Sequence, residues 1–436
     1  MPAKFSSKAI IILTLGAILS ACENNVFRSE DPTTTSLTNV PAVRLNYRYE
    51  PDVPAPPADP SQAGEERNAA VQADFDATRQ FELLDRTLLS PDKKRVAAIY
   101  HRISDLPEDY RIDLYTADGK LLKKLTSDSM AMHFPETLRW SPDSSNLAFL
   151  AAFRKPSMAS LEPVPSPTPT PAIADNTNSE SADANAEATP TSESTPLAPP
   201  TPLPPTGILT FRTEQIYLAN ADGSIIRPVT QTEGLKYYYL TWAPDSSMLA
   251  AMAATEFEWN GMRVQAESKG EHLIPKGRPR IVEKNGRERR LDDNLTDVWP
   301  VWSPDSSKVA TAFGTQVRIY DAVGMNPTQA AIPLRNQMLL SAKAYEENMP
   351  DAANANTNTD ANAPAATPSP TDVSTLPDET TLVSFNPIVE LVWSANDLLY
   401  LKTAYVRHML NEADSVMSFM RWHRLVLSAQ AATPAK

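Results

Sequence analysis

The 436-residue chain has one cysteine, 12 glycines and five histidines, and aromatic residues make up only 7% of it. A single cysteine excludes a disulfide scaffold and any structural metal site built from several thiolates. No glycine is followed two positions later by serine, which removes the G-x-S-x-G elbow of the serine hydrolases. His101, His133, His272, His408 and His423 form no H-E-x-x-H and no close pair at ligand spacing, so neither metal nor cofactor is expected. The N-terminal apolar run, Ala9 to Leu19, is 11 residues long, where a membrane span needs ~20. A cationic surplus is also lacking. Lys and Arg number 40 against 53 Asp and Glu, a formal charge of −13, and a nucleic-acid partner is excluded because phosphate binding needs a net basic field.

Proline is in excess, at 40 residues, and it gathers in tracts that cannot form a core. Pro156 to Thr206 holds 13 prolines with no aromatic, Lys or Arg, and Glu346 to Thr380 also lacks aromatic and basic residues. Such tracts bury too little apolar surface to offset the entropy of ordering, so disordered inserts are expected at 156–206 and about 341–380. A stable body can carry them, since loop closure costs grow slowly with length. Residues 22–79 read as a partly disordered tether with five prolines between Pro51 and Pro60, and 428–436 as a disordered tail. Inside the tether, Val43 to Tyr49 alternates apolar and polar as a half-buried strand does, either docked on the body or standing apart.

The first 21 residues read as a signal peptide. Lys4 and Lys8 supply the positive start, the apolar run follows, and it ends in Leu19-Ser20-Ala21-Cys22. These four residues resemble the lipobox of bacterial lipoproteins. The resemblance implies cleavage before Cys22, a diacylglycerol thioether on its sulfur and acylation of its amine with a chain such as palmitate. Loss of Lys4 and Lys8 with the peptide takes the charge from −13 to −15. At ~0.8 kcal/mol per buried methylene, two or three acyl chains anchor the protein stably to a membrane. Glu23 after the cysteine fits the outer membrane if the cell has one.

With the inserts set aside, a repeat emerges. Trp140-Ser141-Pro142-Asp143-Ser144-Ser145 recurs as Trp242-Ala243-Pro244-Asp245-Ser246-Ser247 and Trp302-Ser303-Pro304-Asp305-Ser306-Ser307. Leu89-Ser90-Pro91-Asp92 is a weaker copy and Trp393-Ser394-Ala395-Asn396-Asp397 a degenerate one. Each copy follows a short β-rich run and precedes an apolar one, as the turn of a hairpin does. Asp118-Gly119 and Asp222-Gly223 mark a second turn downstream, so a unit reads as four antiparallel strands. This pattern resembles the TolB-type, WD-like β-propeller repeat over residues 80–427. The resemblance implies an all-β propeller of four-stranded blades, five visible and a sixth available from the Val43 strand and the chain near Glu82. Such blades are expected to close a ring. Serine stands where the family usually has glycine after the motif aspartate, which is expected to ask less of the backbone.

Function is expected from address and surface rather than from a catalytic motif. Asp143, Asp245 and Asp305 read as turn formers, and no enzyme is expected. Lys276 to Arg290 carries seven basic residues, Lys276, Arg278, Arg280, Lys284, Arg287, Arg289 and Arg290, against two acidic ones. They form either an anion- or partner-binding edge or a solvated outer hairpin around Asn285-Gly286. The expectation is a membrane-anchored, extracytoplasmic propeller that binds an envelope protein or cell-wall component. An enzyme acting on an envelope glycan and a purely architectural lipoprotein are the alternatives.

Overall fold

The computed structural model describes residues 40–57, 67–153, 213–324, 326–349 and 376–428. The signal peptide, Leu19 to Cys22, the first insert, most of the second and the tail from 429 lie outside the described residues. In chain order the elements are β1 (Asn46–Glu50), α1 (Ala69–Thr78), β2 (Glu82–Leu89), β3 (Arg95–Arg102), β4 (Arg111–Thr116), β5 (Leu121–Lys124), β6 (Met130–Ala131), β7 (Arg139–Trp140), β8 (Asn146–Phe153), β9 (Gln215–Asn220), β10 (Ile226–Pro228), β11 (Leu235–Trp242) and β12 (Met248–Thr255). There follow α2 (Glu256–Lys269), β13 (Arg278–Glu283), β14 (Glu288–Arg290), β15 (Val301–Trp302), β16 (Lys308–Phe313), β17 (Gln316–Asp321), β18 (Gln329–Pro333), α3 (Arg335–Glu347), β19 (Ile388–Ala395), β20 (Leu398–Arg407) and β21 (Val416–Ser428).

The strands form five antiparallel sheets, the blades of a β-propeller. The first is β2-β3-β4-β5, the third β11-β12-β13-β14 and the fourth β15-β16-β17-β18. In the second, β6 and β7 are two pieces of one inner strand, both paired with β8, which is followed by β9 and β10. The fifth blade is β19-β20-β21 with β1 as its outermost strand, Asn46 opposite Ser428 and Glu50 opposite Arg424. The alternating strand of the tether therefore completes the last blade and founds no sixth. The second insert is also shorter than its composition suggests, because α3 runs to Glu347 and seats Met338 and Leu339 in the core.

Each repeat motif is the turn between a blade's first two strands. In the second blade Ser141 Oγ donates to Asp143 at 2.5 Å and accepts from the Asn146 amide at 2.9 Å, while Asp143 accepts from the Ser145 amide at 3.0 Å. Burial opposes ionisation of Asp143, yet the hydrogen bonds from Ser141 and Ser145 hold its carboxyl down at about 2. The aspartates are turn formers. The serine after them is not the relaxed choice expected from sequence, since Ser144, Ser246 and Ser306 have φ of 61°, 63° and 61°, in the left-handed region. What serine adds over glycine is an acceptor. The amides of Asp92, Asp143 and Asp245 donate to Oγ of Ser144, Ser246 and Ser306 in the next blade, at 2.9, 3.0 and 3.0 Å. Asp305 makes the last step, to Asn396 Oδ1 at 3.2 Å.

A second ladder runs beside the first. The indole N–H groups of Trp140, Trp242 and Trp302 donate to the carbonyls of Leu88, Arg139 and Thr241, in the inner strand of the preceding blade. Successive inner strands thus lie side by side around the axis. Apolar clusters join the first blade to the second, the second to the third, the third to the fourth and the fourth to the fifth. Among the described residues no hydrogen bond, ion pair, ring contact or shared apolar cluster joins the fifth blade back to the first, so the expected ring closure is not seen there.

Helix α1 stands where a preceding blade would. Gly223, in the outer turn of the second blade, lies so near Lys123 of the first that an added Cβ would come within 2.9 Å of it. The corresponding Gly119 of the first blade, with φ of 89°, packs in the same way on Ala70 of α1. Asn68 caps the helix by accepting from the Ala70 and Val71 amides, and Val71 and Phe75 fill the blade's outer face.

Candidate functional site

The inner strands of the third, fourth and fifth blades surround an axial cavity of about 730 Å3. Its walls come from one register of the repeat. Counting three residues back from each motif tryptophan gives Tyr239, Trp299 and Glu390, all of which line it, and Thr137 in the second blade, which does not. The cavity is therefore foreshadowed by the repeat once the copies are aligned, a signal that motif-by-motif reading misses. Tyr239 and Trp299 stack with ring centroids 4.6 Å apart and planes at 20°. Burial pushes the Tyr239 phenol up to about 12, so it stays neutral. Trp299 is 55% exposed, which leaves indole surface open beside its stacked partner.

Two carboxylates share this wall, Asp297 and Glu390. Asp297 Oδ2 lies 3.5 Å from Lys276 Nζ, and Glu390 Oε2 accepts from Lys402 Nζ at 3.2 Å. The other oxygens, Oδ1 and Oε1, have no hydrogen-bond partner among the described residues, although an ionised carboxylate offers about four acceptor sites. The motif tryptophans Trp242, Trp302 and Trp393 complete the aromatic lining. Trp393 differs from the other two, because its buried indole N–H has no partner among the described residues.

A second polar cluster joins the first three blades. His133 Nδ1 lies 2.7 Å from Glu214 Oε1, and Nε2 lies 3.1 Å from Asp109 Oδ1. Both carboxylates are buried, and Lys236 Nζ reaches Glu214 at 2.9 Å while lying over the Trp259 ring at 4.6 Å. A carboxylate facing each ring nitrogen favours the doubly protonated, cationic form of His133. Burial pulls its pKa down, but Glu214 and Asp109 outweigh that and the net displacement is upward from 6.5.

The seven basic residues of 276–290 lie along β13, β14 and their flanks, and each has a partner within the chain. Arg278 forms a two-pronged pair with Glu258, Arg280 pairs with Glu288, Arg287 with Glu283 and Arg290 with Asp293. Arg289 donates to the carbonyls of Asp321 and Ala322, Lys284 lies 5.5 Å over the Trp242 ring and Lys276 faces Asp297. Among the described residues no three His, Cys, Asp or Glu are grouped to hold a metal ion, and no helix is long and apolar enough to cross a membrane.

No family model matches the sequence, and no curated protein matches it. Solved structures do. One is an oligogalacturonate lyase in complex with manganese, 11% identical with a TM-score of 0.34, the match covering 79% of this chain and 65% of that one. A prolyl endopeptidase is 10% identical at a TM-score of 0.35, over 86% of this chain and 40% of that one. A putative TolB from Agrobacterium tumefaciens is 13% identical at a TM-score of 0.24, over 57% and 80%. The chain thus spans about two thirds of the lyase and less than half of the endopeptidase. The expectation of a non-enzyme does not stand beside these neighbours, since the lyase, the endopeptidase and a puromycin hydrolase are enzymes. At such identities the likeness concerns the fold alone, and the fold is that of a β-propeller.

Proposed function

We propose that the protein is a propeller module held at the extracytoplasmic face of a membrane by lipid on Cys22, where its axial cavity receives a group of an envelope component. The observation that carries the reading is the cavity itself, with the open indole of Trp299 stacked on Tyr239 and two carboxylates with free oxygens in one wall. A concave, largely apolar site with a few convergent polar groups is the usual form of a ligand pocket. Repeat architecture supports the reading further, because it lets three blades contribute to one surface. The lipobox residues Leu19, Ser20, Ala21 and Cys22 supply the address.

The test is crosslinking in cells with the full-length chain, beside Cys22→Ala and Trp299→Ala. The expected result is one captured envelope component, lost in Trp299→Ala and not regained by overexpression. Cys22→Ala should release the protein from the membrane fraction. Capture that persists unchanged in Trp299→Ala overturns the cavity as the contact. Membrane retention of Cys22→Ala overturns the anchor.

A further inference from the structure

We infer that the axial cavity recognises an alkylammonium group, the quaternary or methylated ammonium of a ligand. The inference rests on the cavity being the ligand site and adds the chemistry of what enters it. Three features of the wall point the same way. The first is aromatic surface. Tyr239 and Trp299 present a stacked pair with the indole partly open, and Trp242, Trp302 and Trp393 also line the cavity. A cation over an aromatic face is attracted by the ring quadrupole, and indole is the best of the natural faces.

Charge supplies the second feature. Asp297 and Glu390 contribute two carboxylates, and no Lys, Arg or His is among the described residues of the lining. An anionic ligand would meet the free oxygens of two carboxylates whose lysine partners, Lys276 and Lys402, lie outside the lining, and an uncharged ligand would gain no attraction from the ring quadrupole. A methylated ammonium is drawn by the ring faces and by the carboxylate charge together, and needs no N–H to be held there. The chain's own side chains already demonstrate the pairing, since Lys402 Nζ bonds Glu390 and also lies 5.6 Å over the Trp422 ring. The third feature is the net charge of −13 over the whole chain, which raises the local concentration of cations.

The experiment titrates the mature full chain with choline, with a peptide bearing N-trimethyl-lysine and with 3,3-dimethylbutan-1-ol, the neutral carbon isostere of choline, followed by calorimetry. Choline or the peptide should bind at least about tenfold more tightly than the isostere, in line with a cation–π contact plus a carboxylate. Trp299→Ala should abolish the preference, Trp299→Phe should keep part of it, and Asp297→Asn with Glu390→Gln should reduce it several-fold without altering the circular dichroism. Tighter binding of choline marks a small free ligand, and tighter binding of the peptide marks a group presented on a chain. Equal binding of the isostere overturns the ammonium inference but leaves the cavity as a ligand site. Binding of choline that survives Trp299→Ala overturns it too, because the ammonium would then sit elsewhere. If no probe binds while crosslinking still depends on Trp299, the inference falls and the proposed function stands.

Discussion

The first and last blades end the ladder with the same chemistry at different depths. At the first, Arg79 lies 4.4 Å over the Phe75 ring and bonds Asp113 at 2.7 Å, beneath α1, with its side chain 8% exposed and that of Asp113 not exposed at all. At the last, Arg424 lies 5.8 Å over Tyr400 and bonds Glu50 at 2.7 Å, on a face that no helix covers among the described residues. The strands record the difference. In β12 seven consecutive residues, Met248 to Ala254, are buried because blades lie on both faces, whereas β20 alternates buried Leu399 and Leu401 with half-exposed Tyr400 and Lys402. A terminal blade can finish by recruiting a helix or by wearing a polar face.

The largest effect should come from the buried end. Arg79→Ala leaves the buried Asp113 carboxylate with only the Tyr100 hydroxyl bonded to it among the described residues, and breaking such a pair costs about 3–5 kcal/mol. Burial already raises the Asp113 pKa against the pull of Arg79, so the variant should recover part of its loss in acid, where the carboxyl protonates. Arg424→Ala at the open end should leave the urea midpoint close to that of the unaltered chain. Equal shifts in the two variants would remove the distinction between the ends.

The two histidines sharpen the comparison through pH. His423 of the last blade is neutral by geometry, since Nδ1 accepts from the Asp52 amide and Nε2 donates to Thr403. Burial first, and then the Arg421 charge, lower its pKa from 6.5 to about 4. The unfolded chain therefore binds a proton that the fold refuses, and stability falls as pH drops from 6.5 towards 4, by roughly 3 kcal/mol at most. His133, between Asp109, Glu214 and Lys236, is displaced upward, so its contribution is complete below 6.5 and is lost as pH rises through the folded value. Hydrogen exchange should show β21 losing protection on the acid side and the 103–110 loop with the start of β9 losing it on the alkaline side. His423→Gln should flatten only the first trend and His133→Gln only the second.

Much of this was legible because turns are local. Proline, aspartate and serine act within a few residues, so the motif placed the five blades. Even the imperfect copies were informative: Leu89 stands where the inner blades have the ladder tryptophan, and Asn396 replaces the ladder serine at the far end. The helices were less visible. Helix α1 buries only Val71 and Phe75 and lies in a tract that reads as tether. Helix α2 did carry a signal, the Thr255-x-x-Glu258 capping box and Gly270 at its C-cap. The cavity needs three blades to meet, which no single motif reports. The basic run gave no sign of its two more distant partners, Glu258 for Arg278 and the Asp321 carbonyl for Arg289.

The tryptophan ladder offers a finer test of where the blades stop communicating. Trp242→Phe removes an indole donor that reaches Arg139, and the loss should be about 1 kcal/mol beyond the change in packing. In Trp393→Phe no bond is lost, because that N–H is already unpaired, and an unsatisfied buried donor disappears. Chemical denaturation should therefore find Trp393→Phe the milder of the two. A larger loss in Trp393→Phe would mean that this indole has a partner in solution.

The smallest effect concerns the turns. Lys93 has φ of 60° in the first blade, the same left-handed state as Ser246, but no blade precedes it to donate to its side chain. Lys93→Gly should thus remove backbone strain at no cost in hydrogen bonding and stabilise the chain by up to about 1 kcal/mol, after allowance for the added freedom of the unfolded state. Ser246→Gly relieves the same strain but strands the Asp143 amide, a loss of about 1 kcal/mol, so it should come out near neutral. Ser246→Ala keeps the strain and loses the bond, and should be the least stable of the three. That order, read from urea midpoints, separates the two roles of the residue after the motif aspartate. If Ser246→Gly proved as stabilising as Lys93→Gly, the hydroxyl ladder would contribute nothing, and the inner turns would differ from the terminal one in sequence only.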